Sequence, residues 1–411
     1  MDRLPEFPWD SLAPYKERAG SHAEGLVDLS VGTPVDPTPD IVRAALTAAG
    51  DAHGYPQTWG TPDLREAVAA WFARRRGVPD VDPDGVLPTI GSKEMVAWLP
   101  TLLGAGPGDV IAFPAVAYPT YDVGARLAGA SPLPMRSLTG LGPLTAKTTP
   151  RLLWVNSPSN PTGQVLGIEH LAKLVRWARQ HGVVVASDEC YAELDWRDSD
   201  AAAEARLTGL GGLPTPGAVP SILDPRVCDG SHDGLLALYS LSKQSNMAGY
   251  RAAFAAGDPT LVGRLLEIRK HAGMMVPWPV QQAMVAALGD DTHVALQKAR
   301  YGIRRAKLRS ALEGAGYRID HSDAGLYLWA TVDGPGGRGE ADRASALPAD
   351  PAARAGTDWS AVAAMARLGI LVAPGSFYGA AGGSHVRIAL TATDERIDAA
   401  VKRLARPSQI R

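Results

Sequence analysis

Lys243 closes the stretch LALYSLSK, in which five of the first six residues are apolar or aromatic before an amine appears among small polar side chains. A lysine at the end of a buried strand is ordinarily just solvated, so its meaning depends on what else reaches the same place. Three further apolar runs end on groups with chemistry of their own. After 183–186 comes SDECY, which sets Asp188 and Glu189 where a carboxylate is costly to desolvate unless a cation or a hydrogen-bond donor meets it, with Tyr191 three residues on. After 152–155 comes NSPSNPTG, residues 156–163, whose two prolines and two asparagines stop the chain continuing as strand or helix and fix amides, Asn160 among them, at a crevice. After 86–90 comes GSKEMVAW, where Gly91 allows a tight turn and Ser92 and Lys93 open a helix whose free N–H groups make an anion site. Ser240 and Ser242 flank the lysine, Arg251 follows it by eight residues, and Tyr118 in FPAVAYPTY follows a further strand end.

One small molecule uses this whole set. Pyridoxal phosphate needs an amine to bond its aldehyde, an anion beside its ring nitrogen, a hydrogen bond to its 3-oxygen, an aromatic face to stack on and donors for its phosphate. An amine placed beside such a cofactor could also serve as a base. To act as a base that amine must be neutral, and nearby positive charge from Arg251 and the ring is expected to lower its pKa.

The elements that must gather these residues alternate along the chain. Candidate strands at 86–90, 110–113, 152–155, 183–186, 235–240 and 252–256 are separated by helical patterns at 62–76, 93–103, 168–181 and 260–271. Such alternation predicts an α/β fold with a mainly parallel sheet, covered by helices on both faces and binding ligands beyond the carboxyl ends of its strands. After Gln281 the pattern changes to a long helical run at 293–314, a helix around 359–368 and strand-like runs at 370–373 and 385–390, which reads as a smaller α+β domain. The expected division is an N-terminal arm with part of the small domain at 1–45, a large cofactor-binding domain at 46–285 and a small C-terminal domain at 286–411. Segments 207–220 and 333–357 read as loops.

A hydrophobic fraction of 45% and a net charge of −2 describe an ordinary globular chain and exclude a nucleic-acid or anionic-membrane partner by bulk charge. Cys190 and Cys228 are too few for a disulfide framework and have no metal-ligand spacing, so no metal is expected. With acidic residues and prolines near Met1, and no apolar run long enough to span a bilayer, the expected location is the cytoplasm.

SLSKQSNMAGYR, SPSNPTG and SDECY, in the expected order, resemble the signatures of the fold-type I (class I/II) pyridoxal-phosphate aminotransferases, and the likeness runs from Gly32 to Arg387. The resemblance implies that Lys243 bonds the cofactor and shuttles the proton. It implies further that Asp188 meets the ring nitrogen, that Asn160 and Tyr191 hold the 3-oxygen and that Tyr118 stacks on the ring. Ser92, Lys93 through its backbone N–H, Ser240, Ser242 and Arg251 would hold the phosphate. Tyr55 in YPQTWG would reach the phosphate of a neighbouring subunit, which implies a homodimer with shared sites. Arg387 in SHVRIAL would grip the substrate's α-carboxylate, with a Gly32 N–H beside it and Asn160 near. RLPEFPWDSLAPYK, DLSVGTPVDPTP, RKHAGMM and LTATDER are similar to actinobacterial succinyldiaminopimelate transaminases. That likeness implies transamination between glutamate/2-oxoglutarate and an amino-dicarboxylate-type substrate, N-succinyl-LL-2,6-diaminopimelate, formed from N-succinyl-2-amino-6-oxopimelate in lysine biosynthesis.

The same scaffold also serves β-elimination and Cα–Cβ cleavage, which begin from the same bound cofactor. A regulator would need a DNA-binding domain ahead of LSVGTP, and a nucleotide-binding protein would need GxGxxG or GxxxxGK[ST] after a strand. Several residues are expected to be bystanders. Alternation would point Cys190 away from the crevice or into packing, and His271, Met274 and Met275 read as helix end, lining or core. Arg269 and Lys270 are open between a distal carboxylate and a solvated helix end. Trp278, if it faces the pocket, would narrow it.

Overall fold

The computed structural model describes residues 4–138, 145, 148–197, 217–331 and 357–405. Thirteen strands are described, in order β1 (Val27–Asp28), β2 (Val86–Ile90), β3 (Val110–Pro114), β4 (Ser131–Met135), β5 (Leu152–Asn156), β6 (Val184–Asp188), β7 (Leu235–Ser240), β8 (Ala252–Gly257), β9 (Arg318–Asp320), β10 (Tyr327–Thr331), β11 (Ile370–Leu371), β12 (Ala373–Pro374) and β13 (His385–Ala389). Seven of them form one sheet in the order β2-β8-β7-β6-β5-β3-β4. The pairs β4/β3, β3/β5, β5/β6 and β6/β7 are parallel, and β8 runs antiparallel to both of its neighbours.

The central strands read LLWVN, LLALYS and AAFAAG, and all are buried, as a sheet covered on both faces demands. Alternation sorts their side chains. Leu235, Ala237 and Tyr239 pack into a cluster that holds Trp71 and Phe72, whereas Leu236 and Leu238 join Tyr121 and Trp154 on the other face. The strand at β4 has no counterpart in the sequence reading, because SPLPM carries two prolines; at a sheet edge the missing N–H groups cost no ladder bond. Helix Trp278–Gly289 is likewise unforeseen, since Val280, Ala283, Met284, Ala287 and Leu288 are all buried and leave little amphipathic contrast.

A second, four-stranded antiparallel sheet, β12-β13-β10-β9, carries Arg387 on β13 and Tyr327 on β10, with the long helix Thr292–Gly314 nearby. The expected run 370–373 is divided here between β11 and β12. Parallel pairing of β1 with β11 ties the N-terminal segment to this side. The expected loop at 333–357 lies outside the described residues except for its last, which opens the helix Thr357–Arg367; of 207–220, residues 207–216 also lie outside them. Among the described residues no helix is long and apolar enough to cross a membrane, and no acidic, His or Cys cluster could hold a metal ion.

Candidate active site

The carboxyl ends of β5, β6 and β7 meet the second sheet at a cavity of about 710 Å³. Asp188, the last residue of β6, is in register with Asn156 on β5 and Leu238 on β7. Asn156 organises the turn that follows it: its Nδ2 donates to the Asp188 and Pro158 carbonyls at 3.0 and 3.1 Å, and its Oδ1 accepts from the Asn160 N–H at 2.7 Å. Asn160 is thereby held so that its own Oδ1 accepts from Arg387 Nη1 at 3.0 Å, which joins the two sheets across the cavity.

Lys243 sits in the single helical turn Leu241–Gln244 that follows β7, and Ser240 caps that turn by accepting from the Ser242 N–H at 3.2 Å. Its Nζ donates to the Gly32 carbonyl. Burial holds the Lys243 amine below its ordinary value; Tyr327 and Cys190 oppose the shift, while Arg387 and Arg251 add to it. Arg251 therefore contributes as expected, but desolvation is the larger cause.

Asp188 is buried and makes no ion pair among the described residues. Its Oδ2 accepts from the Tyr121 hydroxyl at 3.0 Å and its Oδ1 from the Cys190 N–H at 3.2 Å. Burial raises its pKa and those two donors oppose the rise. The adjacent Glu189 is satisfied separately, by Arg76 at 2.8 Å, the Ile222 N–H at 2.8 Å and the Ser221 hydroxyl at 3.1 Å.

Gly91, at φ 76°, begins the Ser92–Leu102 helix, so Ser92 is its first helical residue and presents the first-turn N–H groups without a side-chain cap. A Cβ at position 91 would overlap the Arg251 guanidinium, which places that cation against the helix start. Ser240 and Ser242 line the same cavity and share a hydroxyl hydrogen bond at 2.8 Å. Tyr118 also lines it, edge-on to Tyr121 with ring centroids 6.1 Å apart, and burial pushes its phenol up to about 12.

At the second sheet, Arg387 Nη2 donates to the Ser30 carbonyl at 2.6 Å, and its guanidinium stacks 3.8 Å from the Tyr327 ring centroid. Its Nε is a buried donor without a partner among the described residues. Tyr191 and Tyr327 share a hydroxyl contact of 3.2 Å and titrate in opposite directions. Burial, then Tyr327, raises Tyr191; burial would raise Tyr327 too, but Arg387 and Lys243 outweigh it and bring that phenol down. A Cβ at Gly32 would overlap the Tyr327 hydroxyl, so glycine is required for this approach.

Twelve of the thirteen residues singled out from the sequence line this one cavity: Gly32, Ser92, Lys93, Tyr118, Asn160, Asp188, Tyr191, Ser240, Ser242, Lys243, Arg251 and Arg387. Tyr55 does not; it is 97% exposed. Other readings change. Cys190 lines the cavity and also packs in the core with Tyr191 and Leu194, so the packing that was expected holds while the direction away from the crevice does not, since residues two apart share a strand face and position 190 falls on the side of Asp188. Arg269 is neither solvated nor open to a ligand carboxylate, being fully buried in an ion pair with Glu94 at 2.6 Å, while Lys270 pairs with Glu267 at the surface. Trp278, 36% exposed at the start of its helix, is not part of the lining. Tyr121 and Tyr327 were missed. The first stood in the quoted FPAVAYPTY, three residues after Tyr118, and the second in the strand pattern LYLWATV, which gave no polar signal beyond a tyrosine.

These groups fit a pyridoxal phosphate. A buried carboxylate that pairs with no cation among the described residues, an amine in the turn after the neighbouring strand, and a helix start with an adjacent guanidinium suited to an anion all line one cavity. The arrangement defines a fold-type I pyridoxal-phosphate enzyme. Residues 24–404 match the family profile "Aminotransferase class I and II", and the chain belongs to that family. It is an aminotransferase dependent on pyridoxal phosphate.

Similar proteins agree at this level and differ in their substrates. The chain is 55% identical over 404 residues to the 4-dedimethylamino-4-oxo-anhydrotetracycline transaminase OxyQ of Streptomyces rimosus, covering 98% of this chain and 100% of that one. It is also 55% identical over 401 residues to the Mycobacterium tuberculosis protein described as "Probable aminotransferase Rv1178", covering 98% and 85%. An LL-diaminopimelate aminotransferase of Gloeobacter violaceus is 32% identical over 418 residues, covering 98% and 96%. Among solved structures, an aminotransferase from Staphylococcus aureus superposes with a TM-score of 0.78 at 23% identity, covering 98% of both chains.

Proposed function

We propose that this aminotransferase carries an amino group from glutamate, leaving 2-oxoglutarate, to an amino-dicarboxylate-type partner, N-succinyl-2-amino-6-oxopimelate, which becomes N-succinyl-LL-2,6-diaminopimelate in lysine biosynthesis. The observation that carries the catalytic part is the convergence of Lys243, Asp188 and Arg387 on one cavity from two sheets. When bound, pyridoxal phosphate supplies an electron sink for charge developing at the substrate's α-carbon. Asp188 would hold the ring-nitrogen proton, with Tyr121 fixing the carboxylate. Asn160 and Tyr191 would donate to the 3-oxygen, and Tyr118 would cover one ring face. The Ser92 and Lys93 N–H groups, Ser240, Ser242 and Arg251 would take the phosphate, completed by Tyr55 of a second subunit in a homodimer.

Arg387 orients the substrate by its α-carboxylate, a planar bidentate task suited to guanidinium, and its unpartnered Nε is a donor in reserve for it. The Gly32 N–H lies beside that carboxylate. Lys243, its pKa lowered chiefly by burial, would take the proton at Cα and return it on the cofactor side. Fixing the Cα–H bond beside Lys243 is what makes the transfer fast. The same reading assigns residues 1–45 and 286–411 to a small domain and 46–285 to a large one, consistent with β1 pairing with β11, and puts the enzyme in the cytoplasm.

The substrate assignment is supported by the wording of RLPEFPWDSLAPYK and LTATDER and by the diaminopimelate named for a relative of 32% identity. A second reading is favoured by the 55% identical relative named for an oxo-anhydrotetracycline: the acceptor is then a ring ketone. The test is a half-reaction screen on the purified holoenzyme, following the cofactor's absorbance as glutamate, the succinylated diaminopimelate and an aminated anhydrotetracycline are added in turn. Fastest conversion with the second compound is the expected result. Preference for the third selects the ring ketone, and release of ammonia and pyruvate from a β-substituted amino acid identifies a lyase.

A further inference from the structure

The cavity is lined by more than the proposed chemistry uses. Phe7, Trp9 and Leu12 of the N-terminal segment belong to its lining, as do two exposed lysines, Lys16 and Lys93. The shelf is braced from both sides: Phe7 and Trp9 have ring centroids 5.6 Å apart, and Trp9 meets Phe377 at 5.3 Å. Lys93 Nζ stands 5.7 Å from the Phe7 ring centroid, and among the described residues neither lysine forms an ion pair. Of the two acids in the same lining, Asp188 receives the Tyr121 hydroxyl and the Cys190 N–H, and Asp28 is engaged by the Ser30 N–H and hydroxyl at 3.0 and 2.6 Å. Cations without counter-ions beside aromatic surface suit a ligand with a methylene stem that ends in an anion.

We propose that Lys16 and Lys93, with the Phe7–Trp9 shelf, form a distal carboxylate subsite that selects amino and oxo acids carrying a second anion at the end of an apolar chain. The proposal rests on the reading of Arg387 as the α-carboxylate site, which leaves the N-terminal wall for the other end. It makes the side chain of Lys93 a specificity group, apart from the use of its backbone N–H at the phosphate.

Calorimetric titration of the holoenzyme with pimelate and with pimelate monoamide reads this subsite separately from turnover. The unsubstituted protein is expected to bind the diacid at least about tenfold more tightly than the monoamide, the scale of one charge-assisted hydrogen bond. Lys16→Met and Lys93→Met should each bring that ratio to about twofold or less, whereas Lys16→Arg should keep it. Equal binding of the two ligands by the unsubstituted protein, or an unchanged ratio in both methionine variants, overturns the subsite. A holoenzyme that holds the ratio but shows no spectral response to glutamate leaves the subsite standing and sinks glutamate as the amino donor instead.

Discussion

Asp188 and Glu189 follow one another in the chain and face opposite sides of the seven-stranded sheet, where they meet different surroundings. Val185 and, beyond the strand, Glu189 look toward the cluster of Trp71 and Phe72, where Arg76 and the loop at Ser221 and Ile222 complete the carboxylate. Glu193 is paired nearby with Arg75 at 2.8 Å, also in the interior. Ala186 and Asp188 look toward Tyr121 and Trp154, and there the carboxylate receives a phenol and a backbone N–H but no cation. A buried charge that is fully paired holds a structure together, and one left without its counter-ion is available to a ligand. Residue type alone does not separate the two; the opposite face of the same strand does.

The sharpest way to break this contrast is Lys243→Ala, which removes the one amine in the cavity placed to act as a base. Turnover should fall by at least about 10³-fold while the protein still takes up cofactor, as read by absorbance and steady-state rate; normal turnover would reject the assignment. Next comes the crossed pair. Glu189→Gln strands Arg76 in the core and should lower stability by about 3 kcal/mol in urea unfolding with kcat little altered. Asp188→Asn should do the reverse, cutting kcat by about 10²-fold with a small change in stability. Were the two variants to behave alike, the division between the faces would be wrong.

The pH profile sharpens the contrast further. A lysine whose pKa is lowered by burial gains its neutral, basic form as pH rises through that lowered value, so activity should climb about tenfold per pH unit on the acid limb and level off below 10.5. A rate that falls as pH rises across this range would contradict a lysine base. The smallest effect belongs to Tyr121→Phe, which removes one donor from Asp188 and should slow the reaction by about tenfold or less without loss of fold. A wholly silent variant would mean that the phenol does not orient the carboxylate.

Much of this arrangement was legible in the chain because the groups that do chemistry sit at strand ends, and strand ends are marked by abrupt changes of composition. The strands Val86–Ile90 and Leu235–Ser240 have the bounds that the sequence predicts, since Gly91 and the serines around Lys243 stop them. Residues that act by long-range contact carried no such mark. Arg269 is separated from Glu94 by most of the large sheet's sequence, and nothing local distinguishes its buried ion pair from a solvated helix end. Tyr327 belongs to the chemistry only because β10 lies beside β13 and brings the ring over Arg387. Cys190 lies toward the cavity for a local reason: residues two apart share a face, so a period of two sets it with Asp188 and not away from the crevice.

The parallel bridge between Val27–Asp28 and Ile370–Leu371 unites segments that lie on either side of the whole seven-stranded sheet in sequence. During synthesis that sheet has all its strands once Gly257 has emerged, but Ser30 meets Arg387 only after β13 has been made. A nascent polypeptide that stops before β13 would therefore own the lysine and the aspartate yet have nothing to seize an amino acid with, so it stays catalytically silent until Arg387 has been added.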